Sequence, residues 1–73
     1  MNVGSIKENS EEKRVSITPD SAKNIISLGL NVIVEKDYAE HLGIPDDIYK
    51  KNGVKILNSS QEVIQESNLL LKV

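Results

Sequence analysis

The chain has 73 residues, nine Lys and Arg against eleven Asp and Glu, and a net charge of −2. A chain of this size forms one domain at most and buries roughly 60% of the surface its unfolded form exposes. Without Cys, Phe or Trp, its core is expected to be built from Ile, Leu and Val, with no disulfide or cysteine-held metal as a staple. The charges form no long block of one sign, which excludes the basic stripe of a nucleic-acid binder. The longest apolar runs, 32–34 and 69–71, fall far short of the ~20 residues a membrane helix needs, so direct insertion is not expected.

In chain order, residues 2–6 (NVGSI) read as a short first strand that runs into the polar stretch Lys7 to Arg14. Thr18 is a good helix N-cap, Pro19 suits the first helical position because its missing N–H would be unpaired there anyway, and Asp20 complements the positive end of the helix dipole. Ala22, Ile25 and Ile26 recur at helical spacing, and Gly29 followed by Leu30 is the expected stop. Residues 31–35 (NVIVE), β-branched without polar alternation, predict a strand covered on both faces. Residues 36–45 read as irregular. Asp46, Ile48, Tyr49 and Gly53 outline a short second helix begun by aspartate. Residues 54–57 (VKIL) supply a third strand, Ser59 with Glu62 a capping box that opens a third helix, and residues 68–73 (NLLLKV) a fourth strand.

The order β-α-β-α-β-α-β predicts an α/β fold with a Rossmann-like or flavodoxin-like parallel sheet. The strand order is expected to be 2-1-3-4 or 3-2-1-4. In the second, strand four lies beside strand one, and the crevice outside their carboxyl ends is where open α/β sheets take their ligands. Two cations fall there: Arg14 after strand one and Lys72 at the end of strand four. Because the apolar run reaches Val73, the chain reads as the first part of a longer protein and an incomplete half of a larger domain, with an exposed sheet edge that favours self-association.

Arg14 can grip a carboxylate or phosphate with its planar fork, beside the positive end of the first helix. The bland alternative, a solvated arginine or one paired with Glu11 or Glu12, stays open. Lys72 follows three leucines and either serves a ligand or marks where the strand leaves the core. Lys7 and Glu8 read as surface charge, and His41, the single histidine, as a surface or helix-end imidazole without metal-ligand company. Asp46 and Asp47 read as helix-cap residues. Gly4, Gly29, Gly43 and Gly53 are too far apart for a dinucleotide fingerprint or a P-loop, and no serine has a histidine partner at motif spacing.

The ordered set SIKEN, EKRVSITP, LGLNVIVE, LGIPDDIYKKNGVKI and NLLLKV resembles the amino-terminal domain shared by alanine dehydrogenases and the α subunit of proton-translocating NAD(P) transhydrogenases, over essentially the whole chain. It departs at Lys36-Asp37-Tyr38-Ala39, where that family usually has a Gly-Ala-Gly turn. The resemblance implies that residues 1–73 are the N-terminal part of a Rossmann-like domain, with the NAD-binding domain outside this chain, NADP on a partner domain, and this segment inactive alone.

In alanine dehydrogenases, which deaminate alanine to pyruvate with NAD, residues matching Arg14 and Lys72 hold the keto acid, the arginine at its carboxylate and the lysine near its carbonyl oxygen. In transhydrogenases a hydride passes from NADH to NADP, coupled to proton movement through a membrane subunit. The resemblance favours the transhydrogenase, and with it a homo-oligomer in the cytoplasm, peripheral to the membrane's inner face through NADP-binding and membrane subunits. The alternatives are alanine dehydrogenase, a related lysine-degradation dehydrogenase, or a non-catalytic binding or oligomerisation domain.

Overall fold

The computed structural model describes residues 1–7 and 14–71. Four strands, β1 (Asn2–Ser5), β2 (Asn31–Glu35), β3 (Lys55–Leu57) and β4 (Leu69–Leu71), alternate with three α-helices, α1 (Pro19–Ser27), α2 (Asp46–Lys51) and α3 (Ser60–Glu66). All pairings are parallel and the order is β3-β2-β1-β4. The second of the two expected orders is therefore the one adopted. Ser5 lies opposite both Val34 of β2 and Leu71 of β4 in register, so the carboxyl ends of β1, β2 and β4 are level.

The side-chain alternation of the strands divides the core between two faces. Val3, Val32 and Val34 join Ala22 of α1 and Tyr49 of α2 in one buried cluster, with Ile56 and Leu71 packed against it. Ile33 and Gly4 point the other way, toward α3, whose buried residue is Val63. Burial of Val32, Ile33 and Val34 alike explains why the second strand reads as an unbroken β-branched run.

The helix ends follow local chemistry. Thr18 caps α1 in a reciprocal box with Ser21: Ser21 N–H donates to Thr18 Oγ1 (3.1 Å) and Thr18 N–H to Ser21 Oγ (2.8 Å). Gly29 ends the helix with φ +89°, a left-handed conformation that glycine takes without steric cost. Ser59 Oγ caps α3 through Glu62 N–H, while the Glu62 carboxylate reaches one residue further back than a capping box requires, to Asn58 N–H. The cap of α2 differs from expectation. Pro45 holds the N-cap position and Asp46 is the first helical residue. The Asp46 carboxylate is engaged instead by Asp37 N–H, at 3.0 and 3.1 Å.

The core composition also needs correction. Its largest fully buried side chains are two tyrosines, Tyr38 and Tyr49, rather than Ile or Leu. They meet edge-to-face with ring centroids 5.6 Å apart and planes at 80°, the arrangement that the ring quadrupoles favour. Residues 36–45, read as irregular, contain a short 3-10 turn, Glu40–Leu42, and bury both Tyr38 and Ala39.

Candidate functional site

The carboxyl end of the sheet carries the segment that leads into α1, and two phenols fix its course. Ile17 is fully buried, and its peptide groups need partners away from water. Tyr49 donates its hydroxyl to Ile17 C=O at 2.8 Å, and Ile17 N–H donates to the Tyr38 hydroxyl at 3.2 Å. Burial, then the neighbouring Tyr38 and Asp46, raise the Tyr49 phenol well above its ordinary pKa. It therefore stays a donor throughout the working pH range.

The Tyr38 hydroxyl also lies 2.7 Å from Ser5 Oγ, which in turn donates to Leu71 C=O at 2.9 Å. A carbonyl can only accept, so the one serine proton is committed to Leu71. Tyr38 must then donate to Ser5 and accept from Ile17. The four groups form a single directional chain from Ile17 through Tyr38 and Ser5 to Leu71. It joins the entry to α1 with the carboxyl ends of β1 and β4.

Arg14 is exposed, four residues before the N-cap of α1. Lys72 and Glu8 lie outside the described residues, as do Glu11 and Glu12, the expected ion-pair partners of Arg14. The structure thus places one member of the expected cation pair, Arg14, in the segment held by Ile17. Lys7 anchors through its backbone, its N–H donating to Glu35 Oε1 at 2.8 Å. His41 lies in the middle of the 3-10 turn as a half-buried ring whose Nε2 has no hydrogen-bond partner among the described residues.

A hollow of about 430 Å³ opens beside this end of the sheet, lined by Asp37, Glu40, Ile44, Asp46 and Asp47 among others. Its walls are acidic and unsuited to an anion. Among the described residues, no three or more His, Cys, Asp or Glu side chains gather as metal ligands. Glu40 is raised above its ordinary pKa, first by the hydrogen bond its protonated carboxyl donates to the Asp37 carboxylate, then by the Asp37 charge, slight desolvation and Asp46, with Lys7 opposing. A carboxyl whose pKa is higher folded than unfolded supports the fold when protonated. That contribution is present below the unfolded pKa and is lost as pH rises through the folded one. Glu40→Gln is accordingly expected to raise the melting temperature slightly at neutral pH and to flatten its fall between mildly acidic and neutral buffer. Circular-dichroism melts at the two pH values check this, and an unchanged pH slope would refute it.

The described residues do not fit a dinucleotide. A pyrophosphate cradle needs glycine in the turn after a strand and at the start of a helix. Gly29 and Gly53 sit instead in turns that enter strands, Gly4 lies within β1 with its open side filled by Ser67, and Gly43, the one glycine between a strand and a helix, closes the 3-10 turn at the acidic hollow, well past the end of β2. No helix among the described residues is long and apolar enough to cross a membrane.

Residues 4–73 match the family model described as "Alanine dehydrogenase/PNT, N-terminal domain". The chain belongs to this family. Among similar proteins, an NAD(P) transhydrogenase subunit alpha polypeptide of Rickettsia prowazekii (strain Madrid E) is 36% identical over 74 aligned positions, covering 100% of this chain and 19% of that protein. Alanine dehydrogenase 1 of Staphylococcus aureus (strain N315) is 37% identical over 62 positions, 85% of this chain and 16% of the relative.

Solved structures repeat the division. The transhydrogenase from Sinorhizobium meliloti superposes with a TM-score of 0.87 at 30% identity, over 99% of this chain and 21% of the other. An L-alanine dehydrogenase superposes with a TM-score of 0.88 at 25% identity, over 99% and 20%. The chain therefore spans about a fifth of the lengths of these alanine dehydrogenase/PNT relatives. Its family is one of oxidoreductases, and its named members include NAD(P) transhydrogenases.

The tyrosine–serine chain is the element of the site that the sequence does not announce. The alternation of β1 gives a signal: Ser5 falls on the same sheet face as Val3, where a hydroxyl is tolerated only with partners.

Proposed function

We propose that the chain forms the amino-terminal part of an NAD(P) transhydrogenase α subunit, which passes hydride between NAD(H) and NADP(H) coupled to proton translocation. NAD is held by a domain outside these residues and NADP by a partner. The observation that carries this reading is coverage in the sequence alignments, 100% of the chain for the transhydrogenase relative and 85% for the alanine dehydrogenase, while the two solved structures cover it equally at 99%. The complete protein is then a homo-oligomer on the cytoplasmic face of the membrane, attached through NADP-binding and membrane subunits. Residues 1–73 alone are expected to transfer no hydride, because in this reading the nicotinamide is held by a domain outside them.

Arg14 and Lys72 are the ligand-facing cations in this proposal. In a transhydrogenase they serve the nucleotide side. A second reading, alanine dehydrogenase, is favoured by the tie between Ile17 and Leu71, which secures the segment after Arg14 to the carboxyl end of β4. There Arg14 takes the carboxylate of the keto acid and Lys72 its carbonyl oxygen.

The deciding experiment assays the complete protein for NADH oxidation with pyruvate plus ammonium, and for hydride transfer to an NADP analogue with partner subunits supplied. Transfer between nucleotides without pyruvate turnover supports the first reading, and turnover with pyruvate replaces it by the second. Arg14→Lys keeps the charge but loses the fork. It is expected to lower kcat/KM for the ligand it serves by roughly 10- to 100-fold, the worth of a charge-assisted hydrogen bond.

A further inference from the structure

We propose that Tyr38 is a positioning residue for Arg14, its hydroxyl fixing the Arg14-bearing segment against the end of β4 so that an anionic ligand meets a preformed site. The inference rests on the reading of Arg14 as a ligand-facing cation. Ile17, Tyr38 and Ser5 are each 0% exposed, so water cannot substitute when one link is cut. The chain of hydrogen bonds starts three residues after Arg14 and ends at Leu71 C=O, one residue before Lys72 in sequence.

Tyr49 holds the same Ile17, but from α2 and through its carbonyl. Tyr38 reaches from Ile17 to the central strand and, through Ser5, to β4. Because the proton order in this chain is fixed, deleting one hydroxyl strands a donor on one side and an acceptor on the other. The segment is then free to shift, and a misplacement of about 1 Å at a binding group is enough to weaken a ligand substantially.

The ligand chemistry is an anionic oxygen, either the carboxylate of a small oxo acid or a phosphate of a nucleotide. The test uses the complete protein and its Arg14→Lys, Tyr38→Phe and Ser5→Ala variants, with KM and kcat measured separately for pyruvate, NADH and the NADP analogue. Melting temperatures are recorded alongside. Tyr38→Phe keeps the ring and its contact with Tyr49, and Ser5→Ala cuts the same chain from its other end should the phenylalanine variant not fold.

The expected result is that both variants raise KM roughly three- to tenfold for whichever ligand Arg14→Lys weakens, and leave kcat within about twofold. Which ligand responds separates the carboxylate from the phosphate. Lower melting temperatures with every KM unchanged, while Arg14→Lys still weakens a ligand, would overturn the positioning role and leave Arg14 as a clamp. No effect of Arg14→Lys on any KM would overturn the clamp, and the positioning role with it.

Discussion

Tyr49→Ala is expected to remove most of the stability of this chain, at roughly 3–5 kcal/mol for a fully buried aromatic side chain. Tyr49 is 0% exposed, forms the edge-to-face contact with Tyr38, and gives its hydroxyl to Ile17 C=O. The truncation opens a cavity between α2 and the sheet, ends the ring contact and leaves a buried carbonyl without its donor. At ~0.05–0.15 kcal/mol per residue, a domain of this length has roughly 4–11 kcal/mol in all, so the variant stands near the unfolding threshold. Tyr49→Phe keeps the ring and is expected to cost about 1–2 kcal/mol. Urea denaturation followed by circular dichroism distinguishes the two. Near-equal midpoints for Tyr49→Ala and the unaltered chain would show that α2 does not depend on this anchor.

The importance of the two tyrosines marks where the sequence is legible and where it is not. Local signals suffice for what is local. Thr18-Pro19 and Ser59 place two helix starts, Gly29 a helix end, and the Val32-Ile33-Val34 run a strand buried on both faces. The strand order narrows to two because right-handed crossovers allow few arrangements. The choice between them depends on where α3 packs, which no local pattern encodes.

Tyr38 lies in a polar stretch, residues 36–41, with neither period 2 nor period 3.6. Its burial is decided by Ser5 and Ile17, which are 33 and 21 residues away. Asp46 departs from the expected capping role for a related reason: its carboxylate could cap its own helix or take a distant N–H, and Asp37, at φ +60°, presents one. The same stretch holds the departure from the family's Gly-Ala-Gly turn. Asp37 adopts the left-handed conformation that glycine would take more cheaply, and Tyr38 fills the interior beyond it. For the site, the topology of an open parallel sheet is enough to put Arg14 beside its carboxyl end, but not to reveal the hydroxyl chain that holds the Arg14 segment there.

Gly4 carries the second large effect, and its reason is space rather than backbone freedom. A Cβ on Gly4 would collide with Ser67 Oγ and lie 2.9 Å from Ser67 Cβ and 3.1 Å from Val63 Cγ1. Ser67 cannot simply rotate away, because its hydroxyl is bonded to Val63 C=O and its Cβ would still be too close. Nor can β1 withdraw, since it is paired on both sides, with β2 and with β4. The end of α3 must therefore lift, and it draws with it the short connection into β4. Gly4→Ala is expected to cost roughly 1–3 kcal/mol, as overpacking does elsewhere. Ser67→Gly removes the colliding atoms, so the double variant should recover at least about 1 kcal/mol relative to the sum of the single changes. Denaturation midpoints of the four proteins in that cycle supply the test. Simple additivity would mean that α3 does not rest on β1 at this point. A recovered double variant would show that one missing side chain lets α3 sit close enough to seat β4 beside β1, the pairing on which the Ser5 to Leu71 bond and the placement of the site depend.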